Sequence, residues 1–327
     1  MLEHGGNLAA AASKYGIPAS QWVDLSTGIN PKGWPPPMPP ADCWLRLPDE
    51  NDGLQQAASG YYGCGRLLPV AGTQQAIQLL PSLRAPSRVG VLHPSFSEHL
   101  HGWRCQGHQV EKVSADDIDH HLSKLDVLVL CNPNNPDGKT FSRSQLLEWH
   151  KRLADRGGWL VVDEAFMDAT PQGSLAGISP MSGLIILRSL GKFFGLAGAR
   201  VGFVLAEDRL LELMEEKQGP WSIAGPSRWV ATEALSDQVW QSRMRRELPM
   251  AANRLAGLLT CAGLKPDGGS TLFQYVLTPE ADRVADTLAK SGILIRQFPE
   301  LSALRFGLPG VETQWKRLER GLLQHHS

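Results

Sequence analysis

Residues 184–206 read LIILRSLGKFFGLAGARVGFVLA and consist of two apolar runs joined by a glycine-rich turn. The runs at 184–188 and 200–206 are short and almost entirely apolar, a pattern that is typical of strands buried on both faces of a sheet. The turn places Ser189 and Lys192 just after the first run. Because ligands of open parallel sheets bind beyond the carboxyl ends of the strands, these two polar side chains indicate a ligand site at that edge.

Further apolar runs precede this stretch and alternate with segments of helical pattern. The strands expected, in chain order, are 88–93, 108–113, 126–131 and 159–162. The helices expected are 54–62, 73–83, 97–105 and, opened by a capping box at 142–145, 143–156. Strands that alternate with helices form βαβ units. The expected fold class is therefore α/β, with a mostly parallel central sheet and helices on both of its faces.

The pattern changes after residue 208. Two long helical stretches are expected first, at 209–217 and 227–259. A small α+β section follows, with strands at 271–277, 293–298 and 303–308 and helices at 279–291 and 311–324. The domains that we expect are an N-terminal arm with a proline-rich connector at 1–40, a large cofactor-binding α/β domain at 41–220 and a smaller α+β domain at 221–327.

The composition excludes several classes of protein. Hydrophobic residues make up 42% of the 327 residues and charged residues 20%, which is ordinary for a globular protein and unlike a disordered one. The net charge of −1 predicts no binding of nucleic acid, and no apolar run approaches the roughly 20 residues of a membrane helix. Five scattered cysteines without a C-x-x-C pair predict reduced thiols in the cytoplasm and no metal site.

Several polar residues at the predicted strand and helix ends have the chemistry of a binding site for a phosphorylated ring. Gly72 and Thr73 open a predicted helix, whose free N–H groups can hold a phosphate, and Arg200 is a second candidate ligand. Asp163 ends a buried strand, and a buried acid needs a cationic partner. Lys192 supplies an amine. Pyridoxal 5′-phosphate uses all of these groups, because it needs a lysine, an acid at its pyridine nitrogen and anchors for its phosphate.

Three segments resemble motifs of the fold-type-I pyridoxal-phosphate enzymes in the class I and II aminotransferase family: 132–138 (NPNNPDG), 163–166 (DEAF) and 189–202 (SLGKFFGLAGARVG). The resemblance extends over essentially the whole chain. It implies that Lys192 and Asp163 are catalytic, the lysine binding the cofactor aldehyde and the aspartate its pyridinium nitrogen. The cofactor-binding residues that it implies are Gly72, Thr73, Gln74, His99, Asn135, Asp163, Phe166, Ser189, Lys192 and Arg200.

Three positions depart from the family pattern. Phe166 stands where aminotransferases usually carry a tyrosine that bonds the ring hydroxyl, and His99 stands where an aromatic side chain stacks on the ring. Leu47 replaces a tyrosine that, in many relatives, reaches the cofactor phosphate of the other subunit. The resemblance implies a homodimer. These departures leave the expected cofactor unchanged but weaken the expectation of ordinary transaminase chemistry.

Two branches of the family match the sequence. Segments 4–7 (HGGN) and 24–31 (DLSTGINP) resemble the branch that decarboxylates L-threonine O-3-phosphate in cobalamin biosynthesis. That branch implies a reaction that yields (R)-1-amino-2-propanol O-2-phosphate and carbon dioxide. The residues that it implies for binding this phosphorylated amino acid are His4, Gly6, Asn7, Asn30, Asn135, Arg296 and Arg305. Of these, Arg296 is equally consistent with a structural salt bridge.

Two alternatives stay open. The core motifs also match aminotransferases that act on a phosphorylated amino acid such as histidinol phosphate, whose cofactor residues would be the same. The second alternative is a pyridoxal-phosphate sensor without turnover. It is disfavoured, because the enzyme-like segments use the whole chain and leave no basic module for DNA.

Overall fold

The computed structural model describes residues 4–324, which form two compact units. The first, called the terminal unit, consists of the chain up to Gly33, Pro136–Lys139 and the chain from Arg243 onwards. The second, called the central unit, consists of Trp34–Asn135 and Thr140–Ser242. Most of the N-terminal arm thus belongs to the same compact unit as the C-terminal α+β section. The predicted domain bounds at residues 40 and 220 stay a prediction.

Strands and helices alternate through much of the described chain. The strands are, in chain order, β1 (Val23–Asp24), β2 (Leu68–Val70), β3 (Arg88–Leu92), β4 (Gln109–Val113), β5 (Val127–Cys131), β6 (Trp159–Asp163), β7 (Leu184–Ser189), β8 (Gly202–Leu205), β9 (Gly268–Ser270), β10 (Phe273–Leu277), β11 (Ile293–Leu294), β12 (Arg296–Phe298) and β13 (Ala303–Gly307). The α-helices are α1 (Leu8–Tyr15), α2 (Asp42–Leu45), α3 (Leu54–Tyr62), α4 (Thr73–Leu79), α5 (Ser97–Cys105), α6 (Ile118–Leu122), α7 (Arg143–Ala154), α8 (Asp208–Gln218), α9 (Gly225–Ser236), α10 (Gln238–Cys261), α11 (Ala281–Lys290) and α12 (Glu312–Leu323).

The central unit contains a seven-stranded sheet in the order β2-β8-β7-β6-β5-β3-β4. Strands β3 to β7 pair in parallel, and β8 runs antiparallel to both of its neighbours. The prediction of an α/β fold with a mostly parallel sheet is confirmed. The sequence does not predict β2, because this strand is short and contains Pro69, which disfavours a strand.

Both faces of this sheet are buried. On one face, Val127, Val129 and Val161 pack with apolar residues of α4, α5 and α8. The alternate residues Leu128 and Leu160 point to the opposite face, because side chains alternate along a strand, and they are equally inaccessible to solvent. Burial on both faces is the physical reason for the continuous apolar runs in the sequence.

The terminal unit contains a four-stranded antiparallel sheet in the order β12-β13-β10-β9 and a parallel pair of β1 and β11. The prediction of one strand at 293–298 is wrong, because the chain changes partner at Ile295: β11 pairs with β1, and β12 with β13. Leu25 fixes the N-terminal segment beside these strands. Its N–H donates to the Leu294 carbonyl (2.7 Å), and its carbonyl accepts from the Gly307 N–H (2.6 Å).

The helical stretch predicted at 227–259 consists of two helices, α9 and α10, which are separated at Asp237. This residue has φ −83° and ψ 78°, outside the helical region. Its carboxylate accepts from the Trp240 N–H at 2.9 Å and so caps the start of α10. Of the helices described between residues 4 and 324, none has both the length and the hydropathy that crossing a bilayer requires.

Candidate active site

The carboxyl ends of several strands meet at one edge of the sheet in the central unit. Asp163 ends β6 opposite Cys131, which ends β5. Ser189 ends β7 opposite Gly202, which begins the antiparallel β8. Strand β2 also ends beside Gly202 and leads into Gly72 at the start of α4. The register therefore brings three of the predicted cofactor residues to a single sheet edge.

Gly72 and Arg200 approach each other closely at this edge. Gly72 has a φ of +73°, and a Cβ atom on it would lie 2.6 Å from Nη2 of Arg200. A Cβ atom on Gly202 would lie 2.7 Å from the backbone nitrogen of Thr73. Both positions thus require glycine, and the Arg200 guanidinium lies against the start of α4. A guanidinium beside free backbone N–H groups is a donor set that suits a phosphate.

Asp163 is buried and forms an ion pair with His99. Its Oδ2 accepts from Nε2 of His99 at 3.0 Å, and its Oδ1 accepts from the Ala165 N–H at 3.0 Å. Burial alone lowers the pKa of His99, but its hydrogen bonds with Asp163 and Cys131 outweigh burial and raise the pKa to about 10. The imidazole is therefore protonated at neutral pH, and it is the cationic partner that the buried carboxylate requires.

His99, Cys131 and Asp163 also form a compact set of donors. Their ligand atoms all lie within 4.8 Å of one another, and all three residues are buried. Imidazole, thiolate and carboxylate are ligands that transition metals accept. A metal would have to replace the ion pair between His99 and Asp163. The expectation that the protein binds no metal stays a prediction.

The amine of Lys192 lies over the ring of Phe166, 5.4 Å from the ring centroid. Phe166 is buried and has no hydroxyl, so a cation–π contact stands where a tyrosine would offer a hydrogen bond. Ser189 shares the turn with Lys192, and its hydroxyl accepts from the Gly191 N–H at 3.1 Å. The lysine, the serine and the aromatic ring thus all belong to the central unit.

Two further predicted residues, Gln74 and Asn135, lie in the same unit. The Gln74 side chain, on α4, donates to the Glu98 carboxylate on α5 at 2.8 Å and so joins the two helices. Asn135 is half-buried in the turn after β5. The preceding Asn134 is held in position by a hydrogen bond, which its side-chain oxygen accepts from the Ser95 hydroxyl at 2.8 Å.

A buried ionic cluster lies beside the motif residues, and the sequence does not predict it. Arg188 is only 1% exposed, and its guanidinium bonds Glu164 at 2.5 Å and also Asp168. Glu164 directly follows Asp163, and Arg188 directly precedes Ser189. The cluster therefore fixes the ends of β6 and β7. The signal in the sequence is a charge at the end of each apolar run, which does not show that the two charges meet.

The terminal unit brings two arginines together on neighbouring strands. Arg305 of β13 and Arg296 of β12 are cross-strand partners, and their guanidinium groups lie over the ring of Phe298 at 6.0 and 5.2 Å from its centroid. Burial and the charge of Arg296 lower the pKa of Arg305 to about 10, so that it stays protonated at neutral pH. Two adjacent cations repel each other, which favours the binding of an anionic group between or beside them.

The predicted substrate residues near the N-terminus lie in the terminal unit as well. The Gly6 N–H donates to Oγ of Ser26 at 2.7 Å, and Nη2 of Arg305 donates to the Ser26 carbonyl at 2.6 Å. Ser26 thus joins two of the predicted residues. His4 is exposed, and Asn7 caps α1 by accepting from a backbone N–H of its first turn at 3.2 Å.

Asn30, another predicted substrate residue, is buried in the same unit. Its side-chain oxygen accepts from the Lys32 N–H at 2.9 Å. Asn30 also lines a cavity of about 570 Å³. The cations of that cavity are paired with carboxylates, Lys32 with Glu247 (3.1 Å) and Arg254 with Glu312 (2.7 Å). This pairing gives the cavity little preference for an anion.

The chain matches known proteins over most of its length. Residues 51–318 match the family model described as aminotransferase class I and II. A protein of Pseudomonas aeruginosa named threonine-phosphate decarboxylase is 52% identical over 325 residues, which are 99% of this chain and 98% of that protein. A protein of Vibrio vulnificus named histidinol-phosphate aminotransferase is 32% identical over 58% of this chain and 56% of its own length.

The fold is also shared with solved structures. The histidinol-phosphate aminotransferase from Sinorhizobium meliloti, solved in complex with pyridoxal-5′-phosphate, superposes with a TM-score of 0.84 at 20% identity. The match covers 99% of this chain and 95% of that one. The resemblance inferred from the motifs is confirmed by the family model and by the 52% identical relative. The chain belongs to the aminotransferase class I and II family.

Proposed function

We propose that the protein catalyses the pyridoxal 5′-phosphate-dependent decarboxylation of L-threonine O-3-phosphate to (R)-1-amino-2-propanol O-2-phosphate and carbon dioxide, within cobalamin biosynthesis. The observation that carries this proposal is the 52% identity, over 99% of the chain, with the relative named threonine-phosphate decarboxylase. The aminotransferase relative is 32% identical over 58% of the chain. The closer and longer match favours decarboxylation over transamination.

The residues of the central unit fit the phosphate of this cofactor. The Arg200 guanidinium lies against Gly72, so its N–H donors stand beside the backbone N–H groups at the start of α4, a donor set that suits a phosphate. Thr73 at the start of α4 and Ser189 at the end of β7 add donors beside it. We assign these four residues to the cofactor phosphate.

The same unit offers groups for the ring and the aldehyde. The buried carboxylate of Asp163 suits a protonated pyridine nitrogen, because an opposite charge favours the protonated form. Asn135 suits the ring hydroxyl, and Lys192 is the amine that would hold the aldehyde covalently. Lys192 and Asp163 are therefore the catalytic residues of the proposal. Gln74, His99 and Phe166 complete the cofactor-binding set.

When bound, the cofactor accepts the electron pair released by the bond that breaks at the substrate Cα. The carboxylate of Asp163 would hold the pyridine nitrogen protonated. His99 bonds the same carboxylate through Nε2 at 3.0 Å and would keep it in position. Lys192 is the proposed acid that returns a proton to Cα after carbon dioxide leaves. Phe166 confines the lysine amine through its ring without competing for a proton.

The substrate carries two anionic groups, and the terminal unit offers donors for both. Arg305 is the proposed ligand of the carboxylate, with Arg296 beside it. Because Arg305 stays protonated at neutral pH, it can hold the carboxylate without giving up a proton. The residues of this unit proposed for the rest of the substrate, above all its phosphate, are His4, Gly6, Asn7 and Asn30, and Asn135 of the central unit is a further proposed ligand. Two anchored ends fix rotation about Cα and so select the bond to the carboxylate for cleavage.

A homodimer in the cytoplasm is the proposed form of the protein. Four apolar side chains that are close in the sequence, Met38, Trp44, Leu45 and Leu47, are exposed on the central unit and are here called the apolar patch. Apolar side chains in such proximity along the chain favour association with a second copy. The five cysteines are all free, as in proteins of a reducing compartment.

A product assay tests the reaction. The purified holoenzyme is incubated with L-threonine O-3-phosphate in the absence of any keto acid, and carbon dioxide and the amine product are followed. We expect carbon dioxide in large molar excess over enzyme, because decarboxylation regenerates the cofactor. A single conversion of the cofactor to its amine form, without carbon dioxide, would instead identify an aminotransferase.

A further inference from the structure

Ser26 is almost inaccessible to solvent, with 1% of its surface exposed, although it follows only a two-residue strand. Its hydroxyl bonds Gly6, and its carbonyl bonds Arg305. We propose that Ser26, held by Asp24, is a positioning residue. It connects the protein segment at the phosphate end of the substrate, through Gly6, to Arg305 at the carboxylate end. This inference rests on the proposed function, which assigns the segment from His4 to Asn7, with Gly6 in its middle, to the phosphate end and Arg305 to the carboxylate end.

The direction of each hydrogen bond at Ser26 is fixed. The Ser26 hydroxyl donates its one proton to Oδ1 of Asp24 at 2.6 Å, and the Ser26 N–H donates to the same oxygen at 2.8 Å. A hydroxyl has a single proton to give, so the lone pairs of Oγ are left to accept from the Gly6 N–H at 2.7 Å. Asp24 therefore orients the hydroxyl that holds Gly6.

The carbonyl of Ser26 holds Arg305 in the same way. Nη2 of Arg305 donates to it at 2.6 Å, and the guanidinium also lies 5.3 Å from the ring centroid of Phe273. The carboxylate of Asp24 interacts electrostatically with Arg305 as well. Arg305 is thereby confined by its contacts with the Asp24–Ser26 segment and with an aromatic ring.

The segment that carries Ser26 has little freedom to move. Leu25 is bonded to β11 and to β13 through its two backbone groups. A Cβ atom on Gly5 would lie 2.4 Å from the Ser26 carbonyl oxygen, so only glycine allows the N-terminal chain to approach this closely. Any shift of the Gly5–Gly6 backbone is thus transmitted to the carbonyl that holds Arg305, and the spacing of the two substrate ends depends on this contact.

The two functions of Ser26 can be separated by mutation. Ser26→Ala removes the hydroxyl that holds Gly6 and keeps the carbonyl that holds Arg305. We then expect weaker binding of the phosphate end of the substrate and unchanged binding of its carboxylate end. Gly5→Ala instead pushes on the Ser26 carbonyl, so it should affect both ends. Ser26→Cys keeps the shape of the side chain, but its thiol accepts a hydrogen bond only weakly. We expect its affinity for the phosphorylated ligand to lie between those of the wild type and Ser26→Ala.

The test measures the dissociation constants of two ligands from the change in cofactor absorbance of the holoenzyme immediately after rapid mixing, before carbon dioxide is released. The ligands are L-threonine O-3-phosphate and L-threonine, which lacks the phosphate. For Ser26→Ala we expect binding of the phosphorylated ligand to weaken about five- to tenfold, the effect of losing one buried hydrogen bond, and binding of L-threonine to change by less than about twofold. For Gly5→Ala we expect both ligands to bind more weakly.

Ser270→Ala is the matched control, because the Ser270 hydroxyl also accepts a backbone N–H in the terminal unit, from Leu272 at 3.1 Å, but has no role in the site. It should leave both constants unchanged. Equal losses for the two ligands in Ser26→Ala, or no loss for the phosphorylated one in Ser26→Ala and Ser26→Cys, would overturn the inference. Carbon dioxide release by the wild type is measured alongside, so that failure of the proposed reaction is recognised separately from failure of the positioning role.

Discussion

A cation–π contact holds the amine of Lys192 5.4 Å from the ring centroid of Phe166, in the turn that follows β7. If this amine binds the cofactor and returns the proton to Cα, no other group on the turn can replace it. We expect Lys192→Ala to lower carbon dioxide release by at least about a thousandfold and to abolish the absorbance band of the lysine-bound cofactor. The exposed Lys124 gives the control, since Lys124→Ala should keep both. Full turnover in Lys192→Ala would contradict the assignment.

His99 gives a prediction for the dependence of stability on pH. Its pKa is raised from 6.5 to about 10 in the folded protein. Between these two pH values the folded state binds one proton more than the unfolded state. The contribution of protonated His99 to the free energy of unfolding is therefore complete below pH 6.5 and is lost as the pH rises through 10. The slope is at most about 1.4 kcal/mol of unfolding free energy per pH unit.

Urea unfolding of the cofactor-free protein between about pH 7 and pH 10 measures this effect. Other groups titrate in the same pH range. Their contribution to the free energy of unfolding is common to the wild type and His99→Gln, so it cancels when the two proteins are compared. We expect the difference in unfolding free energy between the wild type and His99→Gln to shrink steadily as the pH rises. A difference that stays constant over this range would show that the proton on His99 does not stabilise the fold.

At the scale of the elements, a buried ionic cluster joins the ends of β6 and β7. Arg188→Met would leave Glu164 and Asp168 buried without the cation that both contact. Removing one partner of a buried ion pair costs about 3–5 kcal/mol, and we expect a loss of that size in urea unfolding. Arg152→Met removes an exposed ion pair with Asp119 and should cost less than about 1 kcal/mol. Equal losses in the two variants would contradict the structural role of the cluster.

The strands of the central sheet were predictable because burial on both faces imposes continuous apolar runs. The five strands expected between residues 88 and 188 form within one residue of their expected bounds. The boundaries that the sequence does not predict depend on partners distant in the chain. At Ile295 the backbone exchanges β1 for β13, and at Asp237 a carboxylate caps α10 and also accepts from the indole N–H of Trp34 at 3.0 Å.

The candidate site was predictable to the extent that it follows from strand ends. Parallel strands share an edge, so the positions of Asp163 and Ser189 in the sequence predict that they lie side by side. The contacts of Cys131 with His99, of Arg188 with Glu164 and of Ser26 with Arg305 were not predictable. Each joins residues that are 24 to 279 positions apart or lie on separate elements, and no local pattern encodes such a pairing. The catalytic and binding roles of the predicted residues stay predictions.

At the scale of the whole molecule, the apolar patch of Met38, Trp44, Leu45 and Leu47 gives the last prediction. These side chains are 65–86% exposed, and a second copy of the chain would remove their surface from water. We expect the wild type to sediment as two chains and Trp44→Asp/Leu47→Asp to sediment as one, since a buried charge at the centre of an interface is unfavourable. Leu213 is an exposed leucine on α8 outside the apolar patch, so Leu213→Asp is the control and should remain a dimer. A wild type that is active and sediments as one chain would contradict the homodimer.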